Sequence, residues 1–135
     1  MLCFIHRIAR DPLRFFSLAA FLSIFLIAGC RSPYVQATVI NSGSTELHNI
    51  EVDYPSAGFG ISSLAPGAAF RYRLKLVDAG RMKVKFSDSN EKNYTGKGPY
   101  AAQGQQGTLT ITLDGTGKNV WTANLQPSVR TPKGE

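Results

Sequence analysis

The chain has 135 residues, 15 Lys+Arg against 9 Asp+Glu for a formal charge of +6, and two cysteines, Cys3 and Cys30. That length holds one domain and a short extension rather than two domains. No cysteine follows position 30, so a domain built from the remainder excludes disulfides and thiolate metal sites and must be held by packing.

Residues 1–14 carry Arg7, Arg10 and Arg14 against Asp11, and residues 15–28 are apolar apart from Ser17 and Ser23. As a helix the apolar run is ~21 Å long, short of the ~30 Å hydrocarbon core, so it reads as a cleavable secretory signal rather than a span. Leu26-Ile27-Ala28-Gly29-Cys30 resembles the bacterial lipobox. The resemblance implies cleavage before Cys30, diacylglyceryl on its thiol, further acylation of the palmitate type, and a membrane anchor outside the cytoplasm. More than one acyl chain, at about 0.8 kcal/mol per buried CH₂, makes such an anchor stable. Arg31 stands where an aspartate often marks retention at the inner membrane, which favours the outer membrane. The expected organisation is a signal peptide over 1–29, a tether over 30–33, a domain over 34–125 and a loose tail over 126–135. The mature chain of 106 residues then carries twelve cations and eight acids.

After Pro33 the hydrophobic period becomes two. Val35, Ala37 and Val39 alternate with polar residues, Asn41-Ser42-Gly43-Ser44 supplies a turn, and Ile50, Val52 and Tyr54 alternate with Glu51 and Asp53. Residues 54–58 break that strand, 59–61 form a short piece, and Leu64-Ala65-Pro66-Gly67 is a turn. Phe70, Tyr72, Leu74 and Leu76, then Met82, Val84 and Phe86, form two further alternating runs. Asp78-Ala79-Gly80 between them predicts a hairpin loop with Leu76 opposite Met82 and Leu74 opposite Val84. Residues 87–107 carry no clear pattern, Gly96-Lys97-Gly98 reads as a turn, and a last hairpin joins Leu109, Ile111 and Leu113 to residues 120–125 through a turn at 114–119.

About seven short strands and no helical period after Cys30 predict an all-β fold: a single antiparallel β-sandwich, with a small barrel as the competing closure. Val39-Ile40-Asn41-Ser42-Gly43, Ile50-Glu51-Val52 and Leu64-Ala65-Pro66-Gly67 resemble the opening half of bacterial immunoglobulin-like and fibronectin-type-III-like modules of the adhesion-related kind. The resemblance covers residues 35–77 and implies an immunoglobulin-like sandwich that binds or spaces rather than catalyses.

His48 is the one histidine after position 30, so no three-ligand zinc set exists, and neither a metal nor a cofactor is expected. Ser62 and Ser63 lack a nucleophile-elbow setting, and Glu51 and Asp53 read as solvated counter-ions rather than catalytic acids. One cluster stands out: Arg71, Arg73, Lys75, Arg81, Lys83 and Lys85 all fall at odd positions on the expected hairpin. That register sets Lys75 opposite Lys83 and Arg73 opposite Lys85 on one basic face, where like charges call for compensation. Three readings compete: a solvated face with Glu51 and Asp53 on an adjacent strand as counter-ions, which is favoured, a face toward anionic lipid, and a face for an anionic partner such as an acidic glycan, with nucleic acid disfavoured for want of stacking aromatics. The reading is a non-enzymatic, lipid-anchored module of the cell envelope. Its alternative is an accessory subunit of an envelope complex, docking a protein partner through a free sheet edge or the Thr108-Thr110-Thr112 face.

Overall fold

Period-two alternation is clearest in the first strand. From Val35 to Asn41, positions 35, 37, 39 and 41 are buried while Gln36, Thr38 and Ile40 are half-covered on the other face. The computed structural model describes residues 32–128. The signal segment, Cys30, Arg31 and the stretch from 129 lie outside the described residues. Eight strands follow: β1 Val35–Asn41, β2 Leu47–Tyr54, β3 Ala57–Leu64, β4 Ala69–Leu74, β5 Gly80–Ser87, β6 Asn93–Ala101, β7 Gln105–Leu113 and β8 Asn119–Pro127.

They form two four-stranded sheets, β4-β1-β7-β8 and β3-β2-β5-β6, with the core between them. The all-β sandwich expected from the alternation is what the chain forms. Two details differ from that expectation. There are eight strands, and β1 pairs β7 in parallel while its other neighbour, β4, is antiparallel. In the constant-type immunoglobulin order the first, second, fourth and fifth strands share one sheet; here β1 and β2 lie in different sheets.

The strand absent from the sequence reading is β6. Gly96 and Gly98 sit inside it because a Cβ at either would collide with a side chain of β8, Asn119 for Gly96 and the Trp121 ring for Gly98. Glycine here marks a close approach within a strand rather than a turn. The Phe59 piece likewise extends over all of β3, joined to β2 by a two-residue turn at Pro55-Ser56 with Tyr54 facing Ala57. β8 runs on to Pro127, so the loose tail does not begin at 126.

The largest correction concerns the hairpin. β4 pairs with β1, and β5 pairs with β2 and β6, so residues 75–79 cross from one sheet to the other. Leu74 and Leu76 on one side and Met82 and Val84 on the other all enter the same core. Alternation states which side chains turn inward; in a sandwich both sheets share that interior, so inward pattern alone does not choose pairing partners.

Aromatic side chains flank the sandwich along both sides. Phe59 of β3 stacks on Tyr72 of β4 with centroids 4.3 Å apart, and Trp121 of β8 lies against β6, its Nε1 donating to Asn119 Oδ1 at 3.0 Å. Burial, with the neighbouring Tyr72 adding, pushes the Tyr54 hydroxyl above its ordinary pKa.

Candidate functional site

The six cations of the expected basic face are divided by the fold. Arg71 and Arg73 lie on the outer face of the β4-β1-β7-β8 sheet, beside Thr38 and Gln36. Arg81, Lys83 and Lys85 lie on the outer face of the other sheet, and Lys75 is in the connection. Lys75 does not face Lys83, nor Arg73 Lys85, because β4 and β5 are not neighbours. On the β5 face Lys85 Nζ is 3.9 Å from Glu51 Oε2 and 3.7 Å from Asp53 Oδ2. Glu51 and Asp53 thus act as the counter-ions their position on one strand face suggested, in exposed pairs each worth about 0–1 kcal/mol. Lys83 sits between Asp53 and Lys97.

A different grouping emerges along the long axis. The start of β1, the β2–β3 turn and the β4–β5 and β6–β7 connections gather at one end. Three of the four exposed large hydrophobic side chains among the described residues are there: Tyr34, Val77 and Tyr100, the last 63% exposed. Cations accompany them. The Arg73 guanidinium lies 3.8 Å above the Tyr34 ring centroid. Arg81 faces Tyr100 across β5 and β6 and donates from Nη1 to the Gly98 carbonyl at 3.2 Å. Lys75 is exposed nearby in sequence. Tyrosines with long cationic side chains combine an apolar body with a polar tip.

The opposite end carries Glu46, Asp88, Glu91 and Asp114 with Lys92 and Lys118. Its two hairpin turns, Asp88-Ser89-Asn90-Glu91-Lys92 and Asp114-Gly115-Thr116-Gly117-Lys118, share one geometry. In each, the aspartate Oδ1 accepts from the backbone N–H groups two and four residues on, at 2.9–3.1 Å. The fourth residue has positive φ, 63° at Glu91 and 88° at Gly117. The Lys92 amide is the main reason Asp88 is held below the usual carboxylate range, with the Asn90 amide and Tyr94 hydroxyl adding and burial opposing. For Asp114 the main cause is the Thr116 hydroxyl, helped by the Thr116 and Lys118 amides. Tyr94 ties the turns together, donating to Asp88 Oδ2 at 3.0 Å and lying 3.4 Å from the Gly115 carbonyl. Burial, then Asp88, raises its pKa.

Hollows open on the surface of the described residues, and two of these hollows bear on the site. One, of about 540 Å³, includes His48, Ser62, Ser87 and Asp88 in its lining. No hydrogen bond joins His48 to a serine among the described residues; its Nδ1 lies 3.9 Å from Glu46. The Ser87 hydroxyl donates to Asn93 Oδ1 at 2.7 Å, and Asp88 is committed to its own turn. The other, of about 400 Å³, lies on the outer face of the β4-β1-β7-β8 sheet near the start of β1. Tyr34 and Gln36 form one wall, Asn124 and Gln126 the other, and Gln106, Gly107 and Thr108 the floor. Register lines these up in rows: Arg73, Gln36, Thr108 and Asn124 across four strands, and Gln106 with Gln126.

The sequence reading passed over Tyr34, Tyr100 and the amides of this cleft. Tyr34 and Gln36 flank the inward Val35, and Thr108 alternates with the inward Leu109, so their outward direction was readable. What was missing was the neighbour order that sets β1, β7 and β8 side by side. Among the described residues no group of three metal-ligating side chains occurs, and no helix is long and apolar enough to cross a membrane.

No family model and no curated protein matches the chain. Among solved structures it is similar to the NMR structure of a protein from Eubacterium rectale, with a TM-score of 0.51 and 14% identity. The match covers 76% of this chain and 100% of that one, and it is a likeness of fold.

Proposed function

We propose that the chain is a non-enzymatic binding or structural module of the bacterial cell envelope, tethered by lipid on Cys30, at the outer membrane in preference to the inner. In this reading the sandwich meets the lipid surface with the end where β1 begins. The supporting observation is the sorting of side chains between the ends: Tyr34, Val77 and Tyr100 are exposed with Arg73, Lys75 and Arg81, against Asp78, at one, while four acids stand with Lys92 and Lys118 at the other. Covalent reach agrees, since Cys30 precedes Val35 by five residues and therefore lies within about 17 Å of it. Tyrosines suit the interfacial layer, and each cation near an anionic surface gains about 1 kcal/mol.

The test uses the lipidated chain, whose mature form has no free thiol. Val77→Cys and Thr116→Cys, each labelled with a fluorophore, are reconstituted in anionic vesicles containing nitroxide lipid. Quenching at 77 but not at 116 is the expected result; equal quenching rejects the orientation. Cys30→Ser leaves an unlipidated precursor if the anchor is right, and normal processing of that variant rejects the anchor.

A second reading, an accessory subunit that docks a partner strand, is favoured by one observation. β8, nine residues, and β3, eight residues, are edge strands without a charge, whereas β4 carries Arg71 and Arg73 and β6 carries Lys97; β8 is the longer of the two uncharged edges. An unprotected edge is a template for strand addition. A protein that co-purifies with the wild type in mild detergent and is lost with Thr122→Lys and Ala123→Pro supports this reading; recovery of the chain alone counts against it.

A further inference from the structure

We propose that the cleft on the outer face of the β4-β1-β7-β8 sheet binds an acidic saccharide, with Arg73 holding the anionic substituent and the carboxamides of Gln36, Gln106, Asn124 and Gln126 holding hydroxyl groups. The proposal rests on the binding-module reading, but not on the membrane orientation.

The hollow of about 400 Å³ falls within the roughly 300–1,000 Å³ of small-ligand sites. Its donors and acceptors are little used among the described residues. Gln36 Nε2 has only long contacts, 3.5 Å to the Ala37 carbonyl and 3.4 Å to that of Tyr72. Gln106, Asn124 and Gln126 make no side-chain hydrogen bond among the described residues. A carboxamide presents two donors beside an acceptor, the combination that serves a sugar hydroxyl, which both donates and accepts.

Charge selects the kind of saccharide. The outward positions of the four strands hold Arg71 and Arg73 and no acid: Gln36, Thr38 and Ile40 on β1, threonines on β7, and Val120, Thr122 and Asn124 on β8. The outer face of the other sheet is different, because Glu51 and Asp53 already occupy Lys85. Arg73 flanks the hollow rather than lining it: it is adjacent to Gln36 in register, with its guanidinium carbon 3.8 Å from the centroid of the Tyr34 ring. A guanidinium offers a two-pronged contact to a carboxylate or phosphate. With only one aromatic ring in the cleft, successive nucleic-acid bases have nothing to stack on.

The full lipidated chain in uncharged detergent micelles, labelled with ¹⁵N, is titrated with a galacturonic acid trimer, its carboxyl-reduced neutral counterpart, and glucosamine phosphate. The expected result is that at least one acidic probe shifts the side-chain amide signals of Gln36 and Asn124, and that the neutral trimer binds about tenfold more weakly, as loss of one charged hydrogen-bonded contact implies. Arg73→Gln brings acidic and neutral trimers to equal affinity, and Gln126→Glu weakens the acidic probes alone. The Trp121 indole signal reports that each variant is folded. Silence of the cleft amides with both acidic probes overturns the proposal, as does unchanged acid preference in a folded Arg73→Gln variant. Tighter binding of a single-stranded oligonucleotide to the same residues also overturns it. No vesicle enters this experiment, so the saccharide site and the membrane orientation fail independently.

Discussion

At the end of the sandwich that carries the β5–β6 and β7–β8 turns, the side chains of Asp88, Asp114 and Asn41 each make three hydrogen bonds within the chain. Asn41 donates to the carbonyls of Thr45 at 2.8 Å and Leu64 at 3.0 Å and accepts from the Gly43 amide at 3.0 Å. At the end where β1 begins, Tyr34, Tyr100, Val77 and the cleft amides face solvent with few such commitments. Both ends are polar and both lie at strand ends. The difference is that one spends its polar groups on holding its own backbone while the other leaves them available, so function is best sought at the second.

The sharpest way to break that contrast is at Asn41, which is fully buried. Asn41→Asp replaces a donor with a charge facing two carbonyl oxygens and should cost about 3 kcal/mol or more, read as a lowered urea midpoint with Trp121 fluorescence. Tyr100→Ser, at the other end, should stay within about 0.5 kcal/mol of wild type. Gly117→Ala comes next, at about 2 kcal/mol, because φ is positive there and a Cβ would meet the Tyr94 ring. A midpoint unchanged in either distal variant would show that these bonds do not hold the end together.

How far the sequence reveals all this depends on the kind of question. Inward and outward directions were legible in the alternating runs outside residues 87–107, and even Asn41 follows Val35, Ala37 and Val39 on the inward parity, which marks it as a buried polar group in need of partners. The sandwich followed from that pattern. Pairing was not legible: nothing local distinguishes a hairpin at Asp78-Ala79-Gly80 from a crossing between sheets, since either buries Leu74, Leu76, Met82 and Val84. The six-cation face depended on that pairing and was divided with it. Glu51 and Asp53 survived as counter-ions because their relation depends only on alternation within one strand.

The outward-facing end is tested by removing charge rather than packing. Lys75→Gln with Arg81→Gln should weaken docking of the tethered domain on anionic vesicles by about 30-fold, or about 2 kcal/mol together, while leaving the urea midpoint in place. Equal nitroxide quenching of a label at position 77 before and after the change would show that these cations do not orient the domain. A smaller effect of opposite sign belongs to the distal turn: Glu91 adopts φ 63°, the conformation Gly117 supplies at the matching place, so Glu91→Gly should raise stability by about 0.5–1 kcal/mol.

The smallest effect expected is a dependence on acid. Asp88 and Asp114 are held below the ordinary carboxylate range, chiefly by the Lys92 amide in one turn and the Thr116 hydroxyl in the other. A carboxyl group whose pKa is lower in the folded than in the unfolded chain binds fewer protons when folded. Each therefore stabilises the fold above the unfolded value near about 4, and that contribution is lost as the pH falls through the folded value. Asp114→Asn keeps an acceptor oxygen for the turn but no titrating group. Its urea midpoint should fall below that of wild type at pH 7, and the gap should narrow as both are measured at successively lower pH. A gap that stays constant with pH would mean that the Asp114 carboxylate is not preferentially stabilised by the folded turn, and the contrast between a self-satisfied end and an available one would then rest on Asn41 and Asp88.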